Sequence, residues 1–119
     1  MTEPVVRASA RAADLASEPL DRDQVLDGDP RTAALVIDES ADGRESGVWS
    51  CTPGRFRDVE VDETFVVLEG RATIEFDGGQ VDVGPGDVCV LTTGTKTVWT
   101  VHEKLLKGYA LCKNRQYVP

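Results

Sequence analysis

Basic residues are scarce in this chain: 13 Lys and Arg stand against 21 Asp and Glu, for a net charge of −8. A general nucleic-acid binder needs the opposite balance, so no nucleic-acid partner is expected. Long apolar runs are missing as well. The longest covers residues 33–37, far short of the roughly 18 residues that a membrane helix requires, so no membrane partner is expected either. The N-terminus has no apolar segment of the signal-peptide type. Cysteine is limited to Cys51, Cys89 and Cys112, an odd number spread far apart, which suits a reducing cytoplasm. Histidine occurs once, at His102. What remains is a chain of 119 residues, 40% hydrophobic and 29% charged, the composition of one soluble domain. A chain of that length buries about two-thirds of its unfolded surface, enough for a core without covalent staples.

The charge is unevenly placed. Residues 1–95 carry eight Arg and no Lys against 20 Asp and Glu, whereas residues 96–119 carry four Lys and Arg115 against Glu103 alone. Two readings of that asymmetry stay open: a basic C-terminal strand pairing with acidic ones, or a site for an anionic small molecule near that end.

Residues 1–30 read as a polar N-terminal leader or arm, and residues 31–119 as a β-domain. Residues 9–16 have the composition for two turns of helix capped by Ser9, and Pro19 and the run Asp27-Gly28-Asp29-Pro30 break what precedes them. From Thr32 onward, short β-rich runs alternate with turn residues. Strands are expected over residues 33–38, 47–52, 55–59, 64–69, 72–76, 80–83, 88–91, 97–101 and 105–112. Short, evenly spaced strands with no helical period between them predict an antiparallel sandwich or barrel. Nine of the 11 glycines fall between Gly43 and Gly94, as a turn-dense fold requires. Asp77-Gly78-Gly79 predicts a tight hairpin, and Gly84-Pro85-Gly86-Asp87 has the chemistry of a type II turn.

Several segments carry a more specific resemblance. They are Gly47-Val-Trp-Ser-Cys-Thr-Pro-Gly-Arg-Phe56, Asp62-Glu-Thr-Phe-Val-Val-Leu-Glu-Gly70, Gly84-Pro-Gly-Asp87 and Thr97-Val-Trp-Thr100. Together they resemble the cupin superfamily, and more narrowly its small members related to ureidoglycine aminohydrolase and the ethanolamine-utilisation cupin. The spacing Glu63-x6-Gly70 matches the end of the first cupin motif, and Gly86-x5-Thr92-x-Gly94-x2-Thr97 matches the frame of the second. The resemblance covers about residues 27–112 and implies an all-β double-stranded β-helix barrel of antiparallel strands, a homodimer, and a small-molecule pocket inside. A metal-binding cupin has two histidines ahead of the glutamate, where this chain has Arg57 and Val59 or, at the longer spacing, Phe56 and Asp58. A third histidine is replaced by Thr97. Glu63 alone remains of the ligand set, and one carboxylate does not make a site that takes three or more donors, so no metal and no cofactor are expected.

Strand alternation then assigns side chains to faces. With Glu63 pointing inward, as the resemblance implies, Phe65 follows it. Thr97 shares a face with Trp99, Lys107 with Tyr109, and Trp49 with Cys51. Glu63, Lys107 and Tyr109 are the candidates for acid–base chemistry on a small polar or anionic metabolite. Trp49, Cys51, Arg57, Phe65, Thr97 and Trp99 are the candidates for holding it. Each has a plain structural alternative: an ion pair filling the space a metal would take, aromatic core, an inert buried thiol, a solvated arginine. Non-catalytic ligand binding in an accessory module remains the competing function. His102, five positions past the Thr97 slot, reads as a surface or hairpin residue.

Overall fold

The computed structural model describes residues 4–113, which contain nine β-strands and one 3-10 turn, Arg22–Gln24, and no α-helix. No helix among them is long and apolar enough to cross a membrane. The strands are β1 (Ala16–Ser17), β2 (Val25–Gly28), β3 (Thr32–Glu39), β4 (Arg44–Cys51), β5 (Gly54–Val59), β6 (Asp62–Phe76), β7 (Gly79–Val83), β8 (Val88–Leu91) and β9 (Lys96–Cys112). All pair antiparallel, in the order β1-β3-β4-β9-β5-β2, with β6 alongside β9 and carrying β7 and β8 on its other edge. The expected all-β barrel is therefore what forms.

The barrel is organised by its two longest strands. β6 and β9 pair from Asp62↔Cys112 to Phe76↔Thr97, while β4 and then β5 occupy the opposite edge of β9. Residues 64–69 and 72–76 are thus one strand rather than two, as are residues 97–101 and 105–112. What joins them is a corner. The register shifts between Val67 and Ala72, and Gly70 takes φ +89° with no room for a side chain: a Cβ there would lie 2.1 Å from the Lys104 carbonyl oxygen. Bulges of this kind let a long strand bend around a core.

Alternation along the strands decides the interior. Phe65, Val67, Ala72 and Ile74 of β6 meet Trp99, Val101, Leu105 and Tyr109 of β9, with Phe56 and Cys51 from the facing strands. The hairpin at Asp77-Gly78 and the Gly84–Asp87 turn form as expected. Gly78 and Gly86 adopt positive φ, and Asp87 N–H donates to the Gly84 carbonyl at 3.0 Å. The helix expected over residues 9–16 does not form. A single turn, Ala12 N–H to Ser9 C=O at 3.1 Å, is all that remains before β1, since so short a helix is marginal without a face to pack. The leader segment instead lends two strands to the sheet, β1 on β3 and β2 on β5.

Candidate functional site

Inward alternation on β6 and β9 puts Glu63 and Lys107 on the same side of the sheet. Their backbones are offset, since Lys107 pairs with Val67 and Glu63 with Leu111, so the two long side chains lean toward each other along the strands. Lys107 Nζ donates to Glu63 Oε2 at 2.7 Å, with the side chains only 7% and 9% exposed. The ammonium also lies 4.4 Å from the ring centre of Phe65, 4.6 Å from Trp49 and 5.0 Å from Trp99. A carboxylate and three ring faces replace the water that a lysine normally keeps.

This pair lies at a cavity of about 200 Å³. Trp49, Phe56 and Trp99 form its apolar wall. Asp58, Glu60 and Tyr109 supply further polar groups, and Glu18, Leu20, Glu45 and Lys113 also line it. Phe56 and Trp99 stack nearly parallel at 6.1 Å between centres, with Trp49 tilted across both. Drug-sized pockets run about 300–1,000 Å³, so this one suits a smaller molecule.

Of the residues singled out in the sequence, Glu63, Lys107, Tyr109, Trp49 and Trp99 line one cavity. The other four are placed differently. Thr97 is buried behind the wall, where its hydroxyl donates to Glu60 Oε2 at 2.7 Å. Phe65 is core and meets the site only as a ring face beneath Lys107. Cys51 pairs across to Leu105, two residues beyond the Trp49–Lys107 pair, and is fully buried outside the cavity lining. Burial pushes its thiol up to about 12, away from reactivity. Arg57 alternates outward between inward-facing Phe56 and Asp58, and is exposed. Tyr109 donates to Glu45 Oε2 at 2.7 Å rather than to Glu63. His102 lies within β9 rather than at a hairpin, exposed and 2.8 Å from the Thr73 hydroxyl.

Three acidic residues of the site, Glu18, Glu45 and Glu60, carry no sequence motif of their own. Glu60 sits in the break between β5 and β6, its backbone tied to the Thr92–Thr95 turn through Thr95 C=O and Gly94 N–H. Its Oε2 accepts from Thr97 and from the Trp99 indole N–H at 2.9 Å. Burial nevertheless pushes its carboxyl above the ordinary value, as it does for Asp58. Glu45 behaves oppositely: burial would raise it, but hydrogen bonds from Tyr109 and Lys113 outweigh burial and hold it low. The Tyr109 phenol is raised by burial and by that same carboxylate. A signal for Glu45 was Gly47, whose missing Cβ leaves room for the tyrosine: a methyl there would lie 2.9 Å from Oη.

The donor set does not fit a catalytic metal. Phe56 and Asp58 are the inward-facing pair ahead of Glu63, Thr97 bonds to Glu60, and Glu63 Oε2 is taken by the Lys107 ammonium. No group of three or more His, Cys, Asp or Glu side chains with metal-binding geometry exists among the described residues.

The model of the EutQ-like cupin domain matches residues 39–109. No curated protein matches the chain in sequence. A protein of unknown function from Pseudomonas syringae superposes with a TM-score of 0.77 at 25% identity, over 85% of this chain and 45% of that one. The present chain thus spans less than half of the Pseudomonas protein's length. The Clostridium difficile EutQ protein superposes with a TM-score of 0.63 at 17% identity, over 73% of this chain and 71% of that one. For a cupin superfamily protein from Desulfitobacterium hafniense the values are 0.59, 17%, 68% and 76%.

Proposed function

Because the chain belongs to the EutQ-like cupin domain family, we propose that it binds a small polar metabolite inside the barrel and acts on it by metal-independent proton transfer. The observation that carries this reading is the buried Lys107–Glu63 pair at 2.7 Å on the wall of a cavity that also holds Asp58 and Glu60. Asp58 and Glu60, whose carboxyls burial lifts above the ordinary value, stand beside the pair as further proton-exchanging groups. Glu63, with Lys107 as its partner, is the proposed acid–base group, and Tyr109, fixed by Glu45, is the proposed orienting hydroxyl.

A second reading is favoured by one specific feature. Three ring faces and a carboxylate around Lys107 stabilise it as a fixed cation, which suits a cavity built for affinity without turnover. Proton NMR on the intact chain separates the two. Panels of small amines, amino acids, hydroxy acids and polyols are scored for saturation transfer from protein to ligand, and for new product signals. Turnover lost in Glu63→Gln with binding retained supports the enzyme. Saturation transfer without product supports the binding module. A panel showing neither would remove both readings.

A further inference from the structure

We propose that the molecule this cavity takes is a small cation, an alkylammonium group held by Asp58 and Glu60 against Trp49, Phe56 and Trp99. The inference rests on the cavity reading above and names its ligand class. It follows from which charges the protein has already matched. Glu63 is matched by Lys107 at 2.7 Å, and Glu45 by Lys113 at 3.0 Å with a further bond from Tyr109. Glu18 is exposed. Asp58 and Glu60 remain, and neither has a cationic group within bridging distance among the described residues. Asp58 Oδ1 accepts only the backbone N–H of Val59, at 2.8 Å. Glu60 is 6% exposed and accepts both its bonds on Oε2, so Oε1 is left for the cavity that the residue lines.

Two carboxylates with no ion-pair partner of their own, only the charge of a Lys107 already bonded to Glu63, set beside three aromatic faces, describe the complement of an ammonium group. An anion would fare badly. Lys107 is already held by Glu63 and by rings on three sides, so an entering carboxylate meets Asp58 and Glu60 with no free cation facing it. A neutral ligand would displace water from both carboxylates and return no charge to them. Repulsion from Lys107 is limited because Glu63 neutralises it at contact distance. The volume, about 200 Å³, admits a molecule somewhat larger than benzene, which fills an engineered cavity of about 150 Å³.

Trp49 and Trp99 are the only tryptophans in the chain and both line the cavity, so fluorescence excited selectively at tryptophan reports on it. The intact protein is titrated near neutral pH with propylammonium, 1-propanol and propionate, three probes of like size and different charge. Propylammonium is expected to bind about tenfold more tightly than 1-propanol, with propionate weakest. Asp58→Asn should lower propylammonium affinity about tenfold and leave 1-propanol within about twofold. Glu60→Gln is the second variant, should the first fail to fold. Equal affinity for the three probes, or propylammonium binding indifferent to both variants, overturns the cation inference and leaves the cavity reading standing. If no probe perturbs the tryptophans at any accessible concentration, the cavity reading falls with it.

Discussion

Lys107 and Glu63 constrain each other, and the consequence of removing either depends on what else supports the one left behind. Lys107→Met leaves a carboxylate that is 9% exposed with no cation, a loss on the order of 3–5 kcal/mol. Glu63→Gln leaves the ammonium with three ring faces and an amide oxygen, so the expected loss is smaller, about 1–3 kcal/mol. Combining Lys107→Met with Glu63→Gln removes both charges, and the double variant should recover much of what the first one loses. Urea unfolding of the four proteins measures this, and strictly additive losses would refute a coupled pair. Parity along each strand, taken with the register that the cupin resemblance implies, is enough to bring Glu63, Lys107 and Trp99 to one interior. It could not find Glu60, which lies in a two-residue break where alternation restarts, nor choose Glu45 over Glu63 as the partner of Tyr109. That choice depends on the space above Gly47, which is a property of the neighbouring strand.

At the level of elements, the sequence resolves turns better than continuity. Asp77-Gly78 and Gly84–Asp87 announce themselves because positive φ calls for glycine. Glu69-Gly70-Arg71 and His102-Glu103-Lys104 have the same polar texture, yet both lie inside strands and pack against each other as the corner of the barrel. Only the three-dimensional pairing distinguishes a corner from a turn, because both need a glycine and both interrupt the apolar alternation. Two substitutions separate the causes. Gly78→Ala incurs the positive-φ penalty alone, since nothing lies within 4 Å of its Cβ, and should cost about 1 kcal/mol. Gly70→Ala adds a clash of 2.1 Å with the Lys104 carbonyl and should cost well above the roughly 1–3 kcal/mol of backbone strain. Equal shifts in unfolding midpoint would mean the corner yields freely and does not fix the path of β6.

Across the whole molecule, a few of the many acidic side chains carry the pH dependence of stability. Asp58 and Glu60 have carboxyls raised by burial, so the folded state binds more protons than the unfolded one above the ordinary carboxyl range, near pH 4. Their contribution is therefore present at low pH and is lost as pH rises through the raised folded values. Glu45, held low by Tyr109 and Lys113 against the effect of burial, works in the other direction: its contribution is present above the ordinary range and fades as pH falls through its lowered value. Stability should peak within the ordinary carboxyl range and decline as pH rises above it. Asp58→Asn should flatten the neutral-side decline and raise the unfolding midpoint near pH 7, while Glu45→Gln should flatten only the acid side. Urea midpoints measured across pH 3–8 test this, and an unchanged neutral-side slope in Asp58→Asn would refute the assignment. The same linkage connects stability to function. A cavity that keeps two carboxylates unpaired is destabilised when both are ionised, and any cation that binds there restores stability in proportion to the logarithm of its concentration over its dissociation constant. Propylammonium should therefore raise the midpoint of the natural chain near pH 7 and leave that of Asp58→Asn nearly unchanged.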